Sequence, residues 1–407
     1  MNERAAPTTV RHYALVTATY WGYTLTDGAL RMLVLLHYFA LGYSPFALAS
    51  LFLLYEAAGV GANLCGGWLA TRFGITRMLT MGLGTQILGL LMLSAVDSVG
   101  PAVASLAWVV GAQGICGVAK DLTKTASKSA IKLVASDHPG QLFRWVAWFT
   151  GSKNALKGLG FFLGGLLLES VGFRGALWGM AGALCCLLGG VLWGLPPLLG
   201  RAQASRSMQE FFSKRPGINL LAAARLLLFG ARDVWFVIGL PVFLAASGWT
   251  FGMVGGFLAV WTIGYGLVQA AAPHLVRPSA DGLSREVPAA RRWSLLLTLV
   301  PALLAGALLA DLARPDLVVT VGLVVFGFAF AVNSSVHSYL VLAYAGSAKA
   351  AEDVGFYYAA NAAGRFVGIL LSGLLYGWGG LLACLLGSAV LLAGCWRISL
   401  TLPMTRD

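Results

Sequence analysis

Apolar residues in this chain come in long runs separated by short polar stretches, and a membrane-spanning helix needs about 20 of them. At that length about twelve runs qualify: 13–39, 46–70, 77–95, 101–126, 142–168 and 173–196, then 218–246, 251–275, 293–311, 317–344, 355–378 and 381–400. With 58% hydrophobic and 11% charged residues in 407, most of the surface is built for hydrocarbon rather than water. The pattern predicts an all-α polytopic membrane protein. The first run holds Asp27, Arg31 and His37 and is too long for a cleavable signal, so it is expected to stay as the first span.

One polar stretch divides the chain near its midpoint. Residues 198–217 form a connector between a six-helix half at 1–197 and another at 218–407. The halves look like a weak repeat: Asp27 and Asp233 are 206 positions apart, as are Gly42 and Gly248, and Asn154-Ala155 is echoed by Asn361-Ala362. Two such halves, related by an axis along the membrane normal, predict the major facilitator fold, with twelve transmembrane helices in two pseudo-symmetric six-helix halves.

Charge sets the orientation. Basic residues gather at the N-terminus (Arg4, Arg11), in the second loop (Arg72, Arg77), in the connector (Arg201, Arg206, Lys214, Arg215) and in the eighth loop (Arg277, Arg285, Arg291, Arg292). The intervening loops hold little beyond Arg174 and Arg314. Positive residues favour the cytoplasm, which predicts cytoplasmic termini and a cytoplasmic connector. The net charge of +12 is therefore read against lipid headgroups and not against nucleic acid, since no basic-aromatic surface module is visible.

A second set of charges lies inside the runs, where each costs about 2.5–3.5 kcal/mol unless it meets a partner or a polar cavity. Lys120, Asp121, Lys124 and Lys128 fall in one helix; Lys153, Asn154 and Lys157 in the next; Arg225, Arg232 and Asp233 in the seventh; Asn361 and Arg365 in the eleventh. At about 1.5 Å per residue, Lys153, Arg225, Arg232, Asp27 and Arg365 all come out near mid-membrane. Spacings of three or four put Asp27 with Arg31, Asp121 with Lys124, Asn154 with Lys157 and Asn361 with Arg365, while Asn333, Ser334, His337 and Ser338 form one polar stripe. Cations are in excess, which is chemistry for a small anionic substrate. Asp27, Glu56, Asp121 and Asp233 are the coupling or ion-pair candidates.

Plainer roles stand beside these. Lys128 and Lys132 fit the cytoplasmic rim, and Lys120 and Lys124 fit either a site or snorkelling. Arg232-Asp233 and Asp27-Arg31 also suit structural ion pairs, and His337 a hydrogen-bonded packing residue. Glu56 serves equally as a proton carrier or a partnered structural carboxylate. The spacings Gly160/Gly164 and Gly373/Gly377 suit close helix contact. Six cysteines lack metal-type spacing, and no metal-ligand cluster, nucleophile elbow or phosphate-binding glycine loop is found. No enzyme, metal or cofactor is expected, and the chain is expected to act as a monomer.

Two resemblances sharpen this. Loop 66–79, GGWLATRFGITRML, resembles the signature loop of the major facilitator superfamily, with Gly67, Arg72, Gly74 and Arg77 in place. Thr71 stands where that motif has its acidic residue, which removes half of the motif's gating ion pair. The segments YWGYTLTDGALRMLVLLHY, GVAKDLTKTASKSAIKL, TGSKNALKGLGFFLGG, AARLLLFGARDVWFV and LAVWTIGYGLVQ resemble the ArsJ family of organoarsenical efflux permeases over nearly the whole chain. The resemblance implies export of 1-arseno-3-phosphoglycerate, made when glyceraldehyde-3-phosphate dehydrogenase uses arsenate in place of phosphate, and hence arsenate resistance. It implies a functional partnership with that dehydrogenase and a cargo with an anion at each end, Lys153, Lys157 and Arg31 facing one and Arg225, Arg232 and Arg365 the other. An organophosphate or inorganic phosphate/arsenate exchanger of the same fold would use the same cations, and a non-transporting membrane sensor remains a third reading.

Overall fold

A computed structural model describes residues 7–96, 102–134, 139–197, 199, 215–276, 279, 281–310, 314–344 and 350–404, with the side chains of 7–10, 63–71, 102–103, 128–129, 131–134, 139–151 and 350–355 set aside. Arg4, Arg201, Arg206, Lys214 and Arg277, and the side chains of Thr71, Lys128 and Lys132, lie outside the described residues.

The described residues form α1 (Pro7–Ala40), α2 (Pro45–Phe73), α3 (Ile75–Ser94), α4 (Ala102–Val134), α5 (Pro139–Gly194), α6 (Pro216–Phe236), α7 (Gly239–Ala246), α8 (Phe251–Leu275), α9 (Glu286–Leu309), α10 (Pro315–Tyr344) and α11 (Ala350–Leu400). At 56 residues α5 would run about 84 Å if straight, well beyond the about 30 Å of hydrocarbon. It turns back at Gly172, whose φ of 72° suits a residue without a Cβ. The 51-residue α11 does the same at Gly379 and Gly380. Helices α6 and α7 form one crossing, broken at 237–238. The eleven helices therefore make twelve crossings, and the chain is an all-α polytopic membrane protein.

Eight of the described helical segments are long and apolar enough by composition alone to span a bilayer. Helices α1 and α4 are not among them, because Asp27 and Arg31 in one and Lys120, Asp121 and Lys124 in the other dilute their hydropathy. Apolar side chains such as Val260, Leu267, Leu303 and Val390 stand exposed where lipid would cover them.

Glycines set the helix spacing. Association in lipid gains little from hydrophobicity, so backbones approach where side chains are absent. Helix α1 packs on α5 through Gly28, Gly160 and Gly164, and a Cβ on Gly28 would sit 2.7 Å from the Lys157 carbonyl oxygen. Helix α6 packs on α11 in the same way through Gly230, Gly364 and Gly368. Two further seams join the halves: α5 on α8, through Gly158, Gly165 and Gly255, and α2 on α11, through Gly373. Of the anticipated pair, Gly373 abuts Pro45 and Ala49, whereas Gly377 faces open space.

The repeat is real in packing but its register differs from the sequence reading. Gly164 abuts the Ala29 carbonyl and Met32, and Gly368 abuts the Gly230 carbonyl and Asp233, so Asp233 is the mate of Met32 and not of Asp27. Gly42 and Gly248 remain mates, both with positive φ at the following turn. The second half thus carries extra residues between this contact and the turn, in the stretch that holds the break at 237–238.

The loop between α2 and α3 turns on Gly74, with φ 77°. Ile75 N donates to Leu199 O at 2.8 Å and the Thr76 hydroxyl to Pro196 O at 2.7 Å, which ties this loop to the end of the first half. Arg72 and Arg77 are exposed there, where charges meet headgroups.

Candidate functional site

Two helical stripes build one cavity. On α1, Tyr20, Tyr23, Thr24 and Asp27 stand at i, i+3, i+4 and i+7, on one face of the helix; on α11, Tyr358, Asn361, Ala362 and Arg365 do the same. With Glu56 and Gly59 of α2, Lys120, Asp121 and Lys124 of α4, and Lys153 and Lys157 of α5, they line a cavity of about 130 Å³. Its wall holds five cations against three carboxylates.

The charges are linked in a chain. Lys124 Nζ lies 3.2 Å from Asp121 Oδ1, and Lys120 Nζ lies 4.0 Å from Asp121 Oδ2 and 3.6 Å from Glu56 Oε2. Glu56 Oε1 accepts from Arg31 at 2.8 Å and from Arg365 at 2.5 Å. Arg365 Nε lies 3.4 Å from Asp233 Oδ2, and Asp233 Oδ1 accepts from Arg232 at 2.5 Å. Alternating charge therefore runs from α4 through α2 and α11 to α6 and crosses between the halves at Glu56 and Arg365. Buried ions are tolerated only with such partners, and removing one member of a buried pair typically costs about 3–5 kcal/mol.

Aromatic faces complete the setting. Lys120 Nζ sits 3.8 Å over the Tyr55 ring, and Arg31 lies over Phe52 and Tyr55 at 5.3 and 5.6 Å. The Tyr55 hydroxyl donates to Asp27 at 2.5 Å. Asp27 is thus held by α2, and the Asp27-Arg31 pairing expected along α1 is replaced by Tyr55-Asp27 and Arg31-Glu56, since helix-to-helix contacts reach better than the i, i+4 neighbour. Asp121-Lys124 forms as its spacing predicts. Asn154 turns from Lys157 and donates to Gln269 of α8 at 3.4 Å. Lys157 points over Phe161 at 5.7 Å, and among the described residues no carboxylate pairs with it.

The remaining candidates lie apart from the cavity wall. Arg232 is bound to Asp233 and packed over Phe229, Phe330 and Phe236. Arg225 donates to the Ser334 hydroxyl and carbonyl, both at 3.0 Å, between Phe229 and Tyr357. Asn333 donates to Ser294 at 3.1 Å, and His337 is fully buried with neither ring nitrogen hydrogen-bonded. The hydrogen bond anticipated for His337 is therefore missing among the described residues, because the hydroxyls of Ser334 and Ser338 turn to backbone or to Arg225. Sequence reasoning missed Tyr20, Tyr23, Tyr55, Tyr358 and Gln269. The steps from Tyr20 to Asp27 and from Tyr358 to Arg365 carried the signal for three of them. Among the described residues no group of three His, Cys, Asp or Glu side chains is placed to hold a metal ion.

No protein-family model matches the chain, and no curated protein matches it. Solved structures do. The nucleoside transporter NupG, crystallised as a point mutant, superposes with a TM-score of 0.73 at 15% identity, covering 97% of this chain and 99% of that one. Two crystal structures of POT family transporters, one with a thioalcohol-conjugated peptide and one with 5-aminolevulinic acid, give 0.71 and 0.70 at 14% identity, covering 95% of this chain and 94% of theirs. The chain has the fold of these structures, the major facilitator fold, with a cation-rich cavity between its halves.

Proposed function

We propose that the protein is a secondary transporter that exports 1-arseno-3-phosphoglycerate by alternating access of the two halves around the cationic cavity. The observation that carries this is the wall on which Lys120, Lys124, Lys153, Lys157 and Arg365 outnumber Asp27, Glu56 and Asp121. A small molecule with an anionic group at each end is the ligand such a wall suits, and the resemblance of the charged segments to ArsJ permeases selects the arsenylated one. In this reading both termini face the cytoplasm of a bacterial inner membrane, where glyceraldehyde-3-phosphate dehydrogenase supplies the cargo. Breakdown of the cargo outside releases arsenate, so export confers resistance.

The test uses everted membrane vesicles with radiolabelled arsenate, glyceraldehyde-3-phosphate, NAD and the dehydrogenase, each omitted in turn. Label is expected to accumulate only with all four present. Accumulation of arsenate or phosphate without the dehydrogenase would make the protein an inorganic anion carrier and end the organoarsenical reading.

A further inference from the structure

Glu56 is where the cavity's cations converge. Its side chain, 1% exposed, rises from α2 and meets Arg31 of α1, Lys120 of α4 and Arg365 of α11. Both guanidinium groups crowd onto Oε1, at 2.8 and 2.5 Å. The other oxygen, Oε2, has Lys120 at 3.6 Å and accepts no hydrogen bond. Arg31 Nε is also buried without a hydrogen-bond partner. A structural pair needs one cation per carboxylate. Here three cations from three helices and both halves surround one group with two oxygens; Lys120 also reaches Asp121 at 4.0 Å and Arg365 reaches Asp233 at 3.4 Å, but among the described residues Arg31 pairs with Glu56 alone and keeps a spare donor.

The mismatch has a definite shape. A carboxylate is flat and offers two oxygens, whereas a tetrahedral oxyanion offers three to a ring of three donors. Arg suits such a group through its planar fork and Lys through a mobile charge. Glu56, Lys120 and Arg365 are themselves on the cavity wall, so a ligand in the cavity can reach this point.

We infer that Arg31, Lys120 and Arg365 form the subsite for one tetrahedral dianionic group of the cargo, and that Glu56 fills this subsite when the cargo is absent. The inference rests on the transporter reading above and assigns one end of its substrate. Lys153 and Lys157, one helical turn apart on α5, then face the other anionic end. Arg225 and Arg232, already engaged by Ser334 and Asp233, take no part. Cargo binds by displacing Glu56, and its apparent affinity is lowered by the fraction of molecules in which Glu56 holds the subsite.

The test measures binding of inorganic phosphate and 3-phosphoglycerate to the purified full chain in lipid nanodiscs, alongside vesicle transport. Glu56→Gln removes the competing charge and is expected to bind both probes at least about tenfold tighter while transporting at least about tenfold more slowly. Glu56→Asp keeps the charge in the helix but falls one methylene short of the two guanidinium groups. It is expected to bind more tightly than the native protein and less tightly than Glu56→Gln, which keeps the question open to decision should Glu56→Gln fail to fold. Binding by either folded variant that equals or falls below the native protein's would show Glu56 to be a structural clamp and overturn the inference. If dehydrogenase-dependent accumulation persists in that case, the transporter reading survives; if native protein binds neither probe and vesicles accumulate nothing, both fall.

Discussion

Lys157 and Arg232 show how far single residues reveal the site. Lys157 lines the cavity without a carboxylate partner among the described residues, so its charge has little structural work to do there. Lys157→Gln is expected to lower transport by at least about tenfold while leaving protein in the membrane unchanged, because the cost of a half-buried cation with no carboxylate partner among the described residues disappears with it; transport assays and membrane immunoblots check this. Arg232 is the contrast. Its Nε and Nη2 both reach Asp233 Oδ1, a fork that a lysine cannot copy, so Arg232→Lys is expected to lose folded yield before it loses substrate affinity in the survivors. That Asp27, Lys153 and Arg365 fall at one level was legible from counting residues, and they do line one cavity, whereas Arg225 and Arg232 of the same count do not. Who pairs with whom was not. Asp27 and Arg31 are neighbours on one helix, yet α2 presents Tyr55 to one and Glu56 to the other, and only the rotation of α2 decides that.

At the scale of helices, the twelve runs were legible because hydrocarbon leaves a coarse compositional mark. The register of the repeat was not, since the break at 237–238 and the longer stretch before Gly248 carry no apolar signature. The glycine seams make a clean comparison. Gly160→Val would press a side chain into the backbone of α1 at Leu25, whereas Gly61→Ala meets nothing. The first is expected to abolish folded yield and the second to leave it unchanged, as size-exclusion profiles in detergent would record. Outside the membrane, Asp281 accepts from the Ser279 hydroxyl at 2.7 Å, from Leu283 N and Ser284 N at 3.1 Å and from the Ser284 hydroxyl at 2.9 Å. These donors, the Ser279 hydroxyl foremost, hold its carboxyl well below the usual carboxylate range. A depressed value stabilises the loop above the unfolded carboxyl's pKa of about 3.9 and is lost only as pH falls through the folded one. Hydrogen exchange at Leu283 and Ser284 is therefore expected to stay slow from pH 7 down to pH 4, and to become fast in Asp281→Ala throughout that range.

For the whole molecule, the seams α5 on α8 and α2 on α11 are the surfaces that alternating access would open in the proposed transporter. Glu169 of α5 accepts from Gly252 N at the start of α8 at 3.0 Å, across the halves. A disulfide between Glu169→Cys and Gly252→Cys is expected to stop transport and reductant to restore it, whereas unchanged transport by the cross-linked protein would show that this seam stays shut throughout the cycle. The cavity's surplus of positive charge has a consequence for the electric field. Empty, the wall carries more cations than carboxylates; loaded with the two-ended anion proposed above, whose charge exceeds that surplus, it would turn net negative. A voltage of about 100 mV is worth about 2.3 kcal/mol for each charge moved through it, so it would act on the empty and the loaded protein in opposite senses. If the protein is the exporter proposed above, an inside-negative field would draw the vacant, positive cavity back toward the cytoplasm, and its return stroke would gain from voltage with no co-transported ion bound.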